Sequence, residues 1–385
     1  MKIVYYTSPF FLDCDFPLLK AFKNKGHDVR LYIVLTSSSL KSTLLDMKRI
    51  DKPSGVYPIS SFREFCCFKE YFDENNSFVV VREDMHFYSW KSFKLQMKIF
   101  KSIKSFNPDI IQLTLYPTEF EPFLYIFRKK IVQLVHDPFP HSGEVRNALL
   151  INIKLSTMFF KAFIMLNNRQ RKAFVEKYHL QKKKVGLAKL GIYECMNKFA
   201  SNKKVVNIDN YVLFFGRISP YKGVEYLIKA VNKLNGKTKL VIAGGGQLYF
   251  SKDLYEDNRN IIVINRYMDM YELYSLIKNA SIIVCPYIDA TQSGVIMTAY
   301  SLCKPVVVTN VGGLPDMVDD GKTGFVVEAK SSSAIYHALL KFLESPSLFD
   351  EVKENIKDKY YNGRESWDSI AHLYINIYND FLNHD

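Results

Sequence analysis

Short apolar runs alternate with segments in which apolar residues recur every three or four positions. The first run, KIVYYT, is followed by the helix-like segment FPLLKAFKNKGHDV, which ends at Gly26, and then by a second run, VRLYIV. A strand, a helix and a strand in succession form a β-α-β unit, which requires a parallel sheet. The alternation continues with helices predicted at about residues 91–106, 120–128 and 169–180, and with strands predicted at DIIQLTL, IVQLVHD, AFIMLNN and VGLAKLG.

The composition turns polar at residues 202–210, NKKVVNIDN, and the alternation then starts again. Strands are predicted at YVLFFGR, KLVIAGGG, IIVINR, IIVCPY and PVVVTN, with helices at VEYLIKAVNKL, MYELYSLIKNA and about residues 293–302. This pattern predicts an α/β protein with two Rossmann-like domains, at residues 1–204 and 205–365. Residues 366–385 form a last predicted helix, with apolar residues at helical spacing.

The length and composition suit a globular, cytoplasmic protein. The chain has 385 residues, 48% of them hydrophobic, which is enough to bury two cores. No stretch reaches the ~18 uninterrupted apolar residues of a membrane-spanning helix, and the first residues lack the charged leader and apolar run of a signal peptide. The six cysteines have no CxxC spacing, so we expect reduced, mostly buried thiols and no structural metal.

The positive charge is concentrated in the first half of the chain. Of the net charge of +13, residues 1–204 contribute +16, from 34 Lys and Arg against 18 Asp and Glu, and residues 205–385 contribute −3, from 18 against 21. Clustered cations favour nucleic acid, an anionic membrane surface or a phosphate-bearing substrate, although they also occur on ordinary solvated surfaces. Nucleic acid is not expected, because the basic residues form no RNP-type, finger or basic-zipper motif.

The segment FFGRISPYKGVEYLIKAV places two cations between a strand and a helix. Gly216 and Arg217 end the predicted strand, and Lys222 directly precedes the helix. Two cations beside a helix N-terminus, where backbone N–H groups are unpaired, suit a phosphate group. An ordinary strand-to-helix loop with two surface cations is the alternative.

The turn AGGGQ, at residues 243–247, follows the next predicted strand. Glycines such as Gly244 and Gly245 allow a backbone to approach a ligand closely, although a tight turn alone would also explain them. The turn is not GxGxxG, and no acidic residue follows at about twenty positions, which disfavours a nicotinamide-dependent dehydrogenase.

A third segment, CPYIDATQSGVIMT, leads from a strand into a helix with Ser293 as its predicted N-cap. The backbone amides of residues 292–295 would then point towards an anion. Helix starts are common, so this segment indicates phosphate binding only in combination with the other two segments.

Together, in this order, the three segments resemble the C-terminal domain of glycosyltransferase family 4, whose members are retaining enzymes with the GT-B architecture of two Rossmann-like domains facing across a cleft. The resemblance rests on GRISPYKG at 216–223, AGGG at 243–246, NRYMDMYELYSLIKNASIIVCPY, and KPVVVTNVGGLPDMVDDGKTGFVV at 304–327. It is looser in the first half, at NPDIIQ, VHDPFPH and KLGI.

The sequence departs from the family pattern at two positions. Most members carry paired glutamates where this chain has Ala290 and Thr298, so it resembles a subgroup that reads ATQSG. The donor-binding residues that the resemblance implies are Gly216, Gly244, Gly245, Arg266, Tyr267, Thr291, Gln292, Ser293, Gly294 and Thr298.

Catalysis by such an enzyme requires fixed positive charge for the departing diphosphate. Arg217 and Lys222 are the candidates for this role, and His136, after the strand IVQLV, is the candidate that approaches the donor sugar across the cleft. The acceptor-side candidates are Asp137, His141 and Glu144. The DxD at residues 13–15 is interpreted as coincidental, with Asp15 as a helix N-cap, and no metal is expected.

The resemblance implies a metal-independent, hexosyltransferase-type enzyme that moves a sugar from a nucleoside diphosphate sugar to a glycan or a lipid-linked acceptor. We expect a role in cell-surface polysaccharide biosynthesis, no cofactor besides the donor, and peripheral association with the inner face of the membrane through the basic half. The alternatives are a catalytically inactive nucleotide-binding relative and a nucleotide-sugar epimerase of the same architecture. The last helix is expected to cross back onto the first domain.

Overall fold

The computed structural model describes residues 1–42, 44–83, 85–136, 147–201 and 204–383, which divide into two compact units. One unit is Met1–Leu190 with Trp367–Asp385, and the other is Gly191–Ser366. The division thus falls earlier than the predicted boundary at 204/205. Residues after 190 join the second unit because the Tyr193 N–H donates to the Met297 carbonyl and the Phe199 ring packs against Tyr271 at a centroid distance of 5.3 Å.

The elements follow the predicted alternation of strands and helices. In chain order, the strands are β1 (Lys2–Thr7), β2 (Asp28–Leu35), β3 (Gly55–Pro58), β4 (Ser77–Val81), β5 (Ile110–Leu113), β6 (Ile131–Val135), β7 (Ala162–Met165), β8 (Lys184–Leu187), β9 (Tyr211–Phe215), β10 (Leu240–Ala243), β11 (Ile261–Ile264), β12 (Ala280–Cys285), β13 (Val306–Thr309) and β14 (Gly324–Val327). The α-helices are α1 (Leu12–Asn24), α2 (Trp90–Phe106), α3 (Asn147–Phe159), α4 (Asn168–Lys177), α5 (Val224–Lys233), α6 (Met270–Asn279), α7 (Gly294–Tyr300), α8 (Ser332–Glu344), α9 (Ser347–Tyr360) and α10 (Trp367–Leu382).

Each unit is built on one sheet. The first has the order β3-β4-β2-β1-β5-β6-β7-β8, in which only the β3–β4 pair is antiparallel, and the second has the order β11-β10-β9-β12-β13-β14, in which every pair is parallel. Every residue of β9 and β10 is buried, as expected for central parallel strands covered on both faces. The α/β class with parallel sheets is therefore confirmed.

Two local predictions in the first half were wrong. The helix predicted near residues 120–128 is instead a six-residue 3₁₀ helix, Pro122–Phe127, which begins at a proline and ends shortly before β6. Asp15 is not an N-cap: α1 begins at Leu12, and the Asp15 carboxylate instead accepts hydrogen bonds from the hydroxyls of Tyr5 and Thr7.

The structure assigns α10 to the first unit, where it packs against α1. The Phe22 ring lies 6.2 Å from the Tyr374 ring and 6.0 Å from the Tyr378 ring, and the buried Tyr378 hydroxyl donates to the Gln112 side-chain oxygen. Lys25 adds an ion pair to Asp368 at 2.6 Å. The end of the chain thus contributes to the core of the first unit.

Within the described ranges, no helix has both the length and the apolar character needed to cross a bilayer.

Candidate functional site

The candidate donor site lies where β9, β10 and β11 end at the carboxyl edge of the second sheet. The Gly216 N–H donates to the Ala243 carbonyl and the Gly244 N–H to the Ile264 carbonyl, both at 3.0 Å. The Ile218 N–H then donates to the Gly245 carbonyl, also at 3.0 Å. The three chain segments therefore continue side by side beyond their strands, at the edge where open α/β sheets bind ligands.

Gly244 makes this close approach possible. Its φ is +150°, and a Cβ atom at this position would lie only 1.9 Å from the Gly216 carbonyl oxygen. No side chain fits in that space, so the glycine predicted to bring a backbone near a ligand first brings two backbone segments together.

A cavity of about 300 Å³ opens beside this contact. The Tyr267 side chain, 46% exposed, offers a ring on which a planar group can stack. The lining is mostly apolar or backbone and consists of Phe215, Gly216, Arg217, Ala243, Gly244, Gly245, Tyr267, Met268 and Leu273. A largely apolar cavity with one cation at its wall suits a nucleobase or sugar next to an anionic group.

Lys222 is held over an aromatic ring. Its Nζ lies 3.6 Å from the centroid of the buried Tyr287 ring and 4.9 Å from that of Tyr221. The next residue, Gly223, has φ +60°, and a Cβ there would lie 2.1 Å from the Pro286 carbonyl oxygen, so the Lys222 loop sits directly against the end of β12. The ammonium is thus fixed by a cation–π contact.

Burial, and to a smaller extent the positive charge of Arg217, lower the pKa of Lys222 to about 8, against an opposing effect of Cys285. The two cations are therefore close enough to repel each other. An anion bound between them would remove this repulsion and stabilise the charged form of Lys222. This is the electrostatic behaviour expected of a diphosphate site.

The start of α5 differs from the expectation for a phosphate-binding helix N-terminus. The Val224 N–H donates to the Tyr249 hydroxyl at 2.7 Å, so this donor already has a partner within the protein. The positive charge at the site therefore comes mainly from the cationic side chains and less from the backbone N–H groups at the start of α5.

The segment before and within α7 contains the other predicted donor-binding residues. Among the described residues, the buried Nε2 of Gln292 has no hydrogen-bond acceptor. The Ser293 hydroxyl does not cap α7 and instead lies 3.3 Å from the Tyr287 hydroxyl. The Thr298 hydroxyl donates to the Gly294 carbonyl at 2.8 Å, which leaves Thr298 only an acceptor function towards a ligand. Thr291 offers its carbonyl to the Gly313 N–H.

The Arg266 guanidinium is engaged by a carboxylate. It forms two 2.7 Å hydrogen bonds to Glu272, whose side chain also takes part in the capping box of α6. Of these two residues, Arg266 and Tyr267, only Tyr267 lines the cavity.

His136 belongs to the first unit, where it directly follows β6. Its ring stacks on Phe11 at a centroid distance of 4.3 Å, and ligand atoms of His136, Cys14 and Asp15 lie within 4.8 Å of one another. Both Asp15 oxygens already accept hydroxyl hydrogen bonds, at 2.6 Å from Tyr5 and 2.5 Å from Thr7, and burial raises the pKa of this carboxyl to about 7. Sequence patterns could not reveal this cluster, because it brings together residues that are more than a hundred positions apart.

The predicted acceptor-side residues Asp137, His141 and Glu144 lie outside the described residues.

The architecture of two α/β units with parallel sheets is that of the GT-B fold. Sucrose-phosphate synthase from Thermosynechococcus elongatus aligns over 100% of both chains with a TM-score of 0.64 and 14% identity. Anabaena HepE in complex with UDP-glucose aligns over 100% of both chains with a TM-score of 0.63 and 15% identity. At these identities the likeness establishes the fold alone.

Residues 197–359 match the family described as glycosyl transferases group 1. An uncharacterized glycosyltransferase of Methanocaldococcus jannaschii is 31% identical over 178 residues, which are 44% of this chain and 45% of the relative. The capsular polysaccharide biosynthesis glycosyltransferase CapM of Staphylococcus aureus is 29% identical over 191 residues, 46% of this chain and 48% of the relative. Each match thus spans less than half of the relative's length.

Replacement of Gly244 by alanine should destabilise the second unit. The new methyl group would collide with the Gly216 carbonyl, and the backbone conformation would be strained, so we expect a loss of ~1–3 kcal/mol or more in the free energy of unfolding. Denaturant titration of the intact chain measures this. The matched control is Gly245→Ala, whose methyl group would come no closer than 3.6 Å to any atom and should be tolerated. Equal stability of the two variants would contradict this role of Gly244.

Proposed function

We propose that the chain is a glycosyltransferase of the hexosyltransferase type, which moves a sugar from a nucleoside diphosphate sugar to an acceptor. The observation that carries the proposal is the cation Arg217 at the wall of the glycine-lined cavity beyond β9 and β10, with Lys222 close enough for the two charges to interact. The match of residues 197–359 to the glycosyl transferases group 1 family supports it.

The chemical demand of the reaction is the negative charge that builds on the diphosphate as the sugar leaves. Two fixed cations meet this demand without the solvent rearrangement that free water would require. The Lys222 ammonium is held over the Tyr287 ring. Its lowered pKa shows that the positive charge is poorly stabilised in the empty site, so a bound anion would stabilise the protonated lysine. The two cations bind the diphosphate and stabilise it as the leaving group, and no metal ion takes part in this step.

Retention of the anomeric configuration follows from where the acceptor hydroxyl attacks. With Ala290 and Thr298 at the positions of the usual glutamates, the site lacks those two carboxylates as nucleophiles, so we favour attack on the face from which the diphosphate departs. The diphosphate then receives the proton of the acceptor hydroxyl. His136 is retained as a catalytic candidate, on the family resemblance.

The base and sugar are held by weaker contacts. The Tyr267 ring stacks on the base, and the backbone of residues 266–267 reads its edge. The Gln292 amide, whose Nε2 has no acceptor among the described residues, donates to the sugar or the diphosphate. No cofactor besides the donor is needed.

The acceptor is a glycan or a lipid-linked glycan of the cell surface. The relative CapM is named for capsular polysaccharide biosynthesis, and the charge of +16 on residues 1–204 favours an anionic membrane surface. We place the enzyme in the cytoplasm, peripherally on the inner face of the membrane, with Asp137, His141 and Glu144 on the acceptor side.

A thermal-shift panel tests the donor site. UDP, GDP, ADP and their common sugar conjugates are added, with EDTA present, to the wild type and to an Arg217→Ala, Lys222→Ala double variant. We expect one nucleotide to stabilise the wild type and to lose this effect in the double variant, because both cations contact the diphosphate. A well-folded wild type that responds to none of these compounds would favour the non-catalytic relative instead.

The pH dependence of binding tests Lys222 separately. Below a pH of about 8 its ammonium is charged and attracts the diphosphate, and above this pH the charge is lost, so affinity should fall as the pH rises through 8. In Lys222→Arg the guanidinium stays charged, and the affinity should change less over the same range. Calorimetric titration at about pH 7 and about pH 9 measures both. Identical pH profiles for the two proteins would contradict the proposal that Lys222 binds the diphosphate.

A further inference from the structure

The first unit contains a second concave site, beyond the carboxyl ends of β2 and β4. Its volume is about 280 Å³. Ser37 follows β2, Ser54 precedes β3, and Glu83 follows β4, while Lys91 comes from the first turn of α2. The site therefore occupies the ligand-binding edge of the first sheet, as the candidate donor site does for the second.

The frame of this pocket is held together by Glu83. Its carboxylate accepts hydrogen bonds from both the N–H and the hydroxyl of Ser37. The Ser54 hydroxyl accepts from the Glu83 N–H at 2.9 Å and donates to the Glu83 carbonyl. The Glu83 carboxylate thus binds Ser37 and the Glu83 backbone binds Ser54, so this residue joins three chain segments in the described part of the wall.

Apart from Glu83, the charged residues in the described part of the wall are cations. Over the described ranges, Lys48, Lys52 and Lys91 form no salt bridge and no side-chain hydrogen bond, and only Arg49 is paired, to Asp51 at 2.6 Å. The Lys52 ammonium lies 5.4 Å from the Tyr57 ring and 5.6 Å from the Phe62 ring, which limits its freedom. Several uncompensated cations around one concavity concentrate anions there.

We infer that this pocket binds the phosphate or diphosphate group of the acceptor. The inference rests on the proposed transferase function, in which the donor's diphosphate is bound by the second unit and the acceptor by the first. The pocket is polar and has room for a phosphate group. The acceptor would then be a phosphate-bearing molecule, either a soluble sugar phosphate or a lipid-linked glycan whose phosphates lie at the membrane surface.

Exposed aromatic side chains lie close to Lys91 in the sequence. Tyr88 and Trp90 are 74% and 67% exposed, Trp90 directly precedes Lys91, and the Trp90 ring stacks on Phe93 at 5.1 Å. Such rings provide a surface for sugar faces or for the start of a lipid chain. Contact with these rings would raise the affinity of a lipid-linked phosphate but not that of a soluble phosphate, so the affinity distinguishes the two sources.

The test uses calorimetric titration of the full chain with pyrophosphate, in an Arg217→Ala, Lys222→Ala background that removes the candidate donor site. Pyrophosphate should still bind this protein. Adding Lys48→Gln and Lys52→Gln should weaken binding ~10-fold or more, because two charge-assisted contacts are lost. The matched control adds Lys101→Gln and Lys104→Gln, two exposed lysines of α2 outside the pocket, and should bind as the background does.

Farnesyl diphosphate identifies the source of the phosphate. Tighter binding than pyrophosphate, lost in Trp90→Ala, would support a lipid-linked acceptor, and equal binding would support a soluble phosphate. No binding to the background protein, or the same weakening in the Lys101 and Lys104 control, would overturn the inference. The donor site is judged separately, by whether nucleotides stabilise the wild type, so failure of one proposal is not mistaken for failure of the other.

Discussion

The contact between the Gly216 carbonyl and the backbone of Gly244 is the constraint on which the candidate site depends. A side chain at position 244 would lie 1.9 Å from that carbonyl oxygen, so the loops after β9 and β10 can meet only because a glycine is present. Their meeting opens the cavity and places Arg217 at its wall. The second unit therefore packs backbone directly against backbone at the edge of the sheet where substrates of α/β proteins bind.

Charge is the second determinant of the site. Lys222 is brought towards Arg217 although both are positive, and burial together with this repulsion lowers its pKa to about 8. Such an arrangement is unfavourable in the empty protein and becomes favourable when a diphosphate arrives. The pocket of the first unit follows the same logic with Lys48, Lys52 and Lys91, which explains part of the positive charge of residues 1–204.

The strand and helix periodicities were sufficient to predict the fold class and most elements of the second unit, because parallel strands buried on both faces read as continuous apolar runs. Short strands with partly exposed residues, such as β3, gave no such signal. The prediction for Asp15 was wrong because a carboxylate just before an apolar helical segment has the sequence pattern of an N-cap. In the structure the Asp15 carboxylate is buried and accepts hydrogen bonds from Tyr5 and Thr7.

The candidate site residues Arg217, Lys222 and the glycines could be named from the sequence, because they follow strands in an order typical of one family. The role of Tyr287 beneath Lys222 could not be predicted, since it depends on contact between separate loops. The basic pocket of the first unit could not be predicted for the same reason, because Lys91 of α2 meets the loop of Lys48 and Lys52 only in the folded unit.

The most direct measurement is a crystal structure of the chain with the nucleoside diphosphate that stabilises it. We expect the base against Tyr267 and the diphosphate between Arg217 and Lys222, beyond the ends of β9 and β10. A nucleotide bound anywhere else, with these two cations out of reach of the phosphates, would contradict the central claim that this edge of the second unit is the donor site.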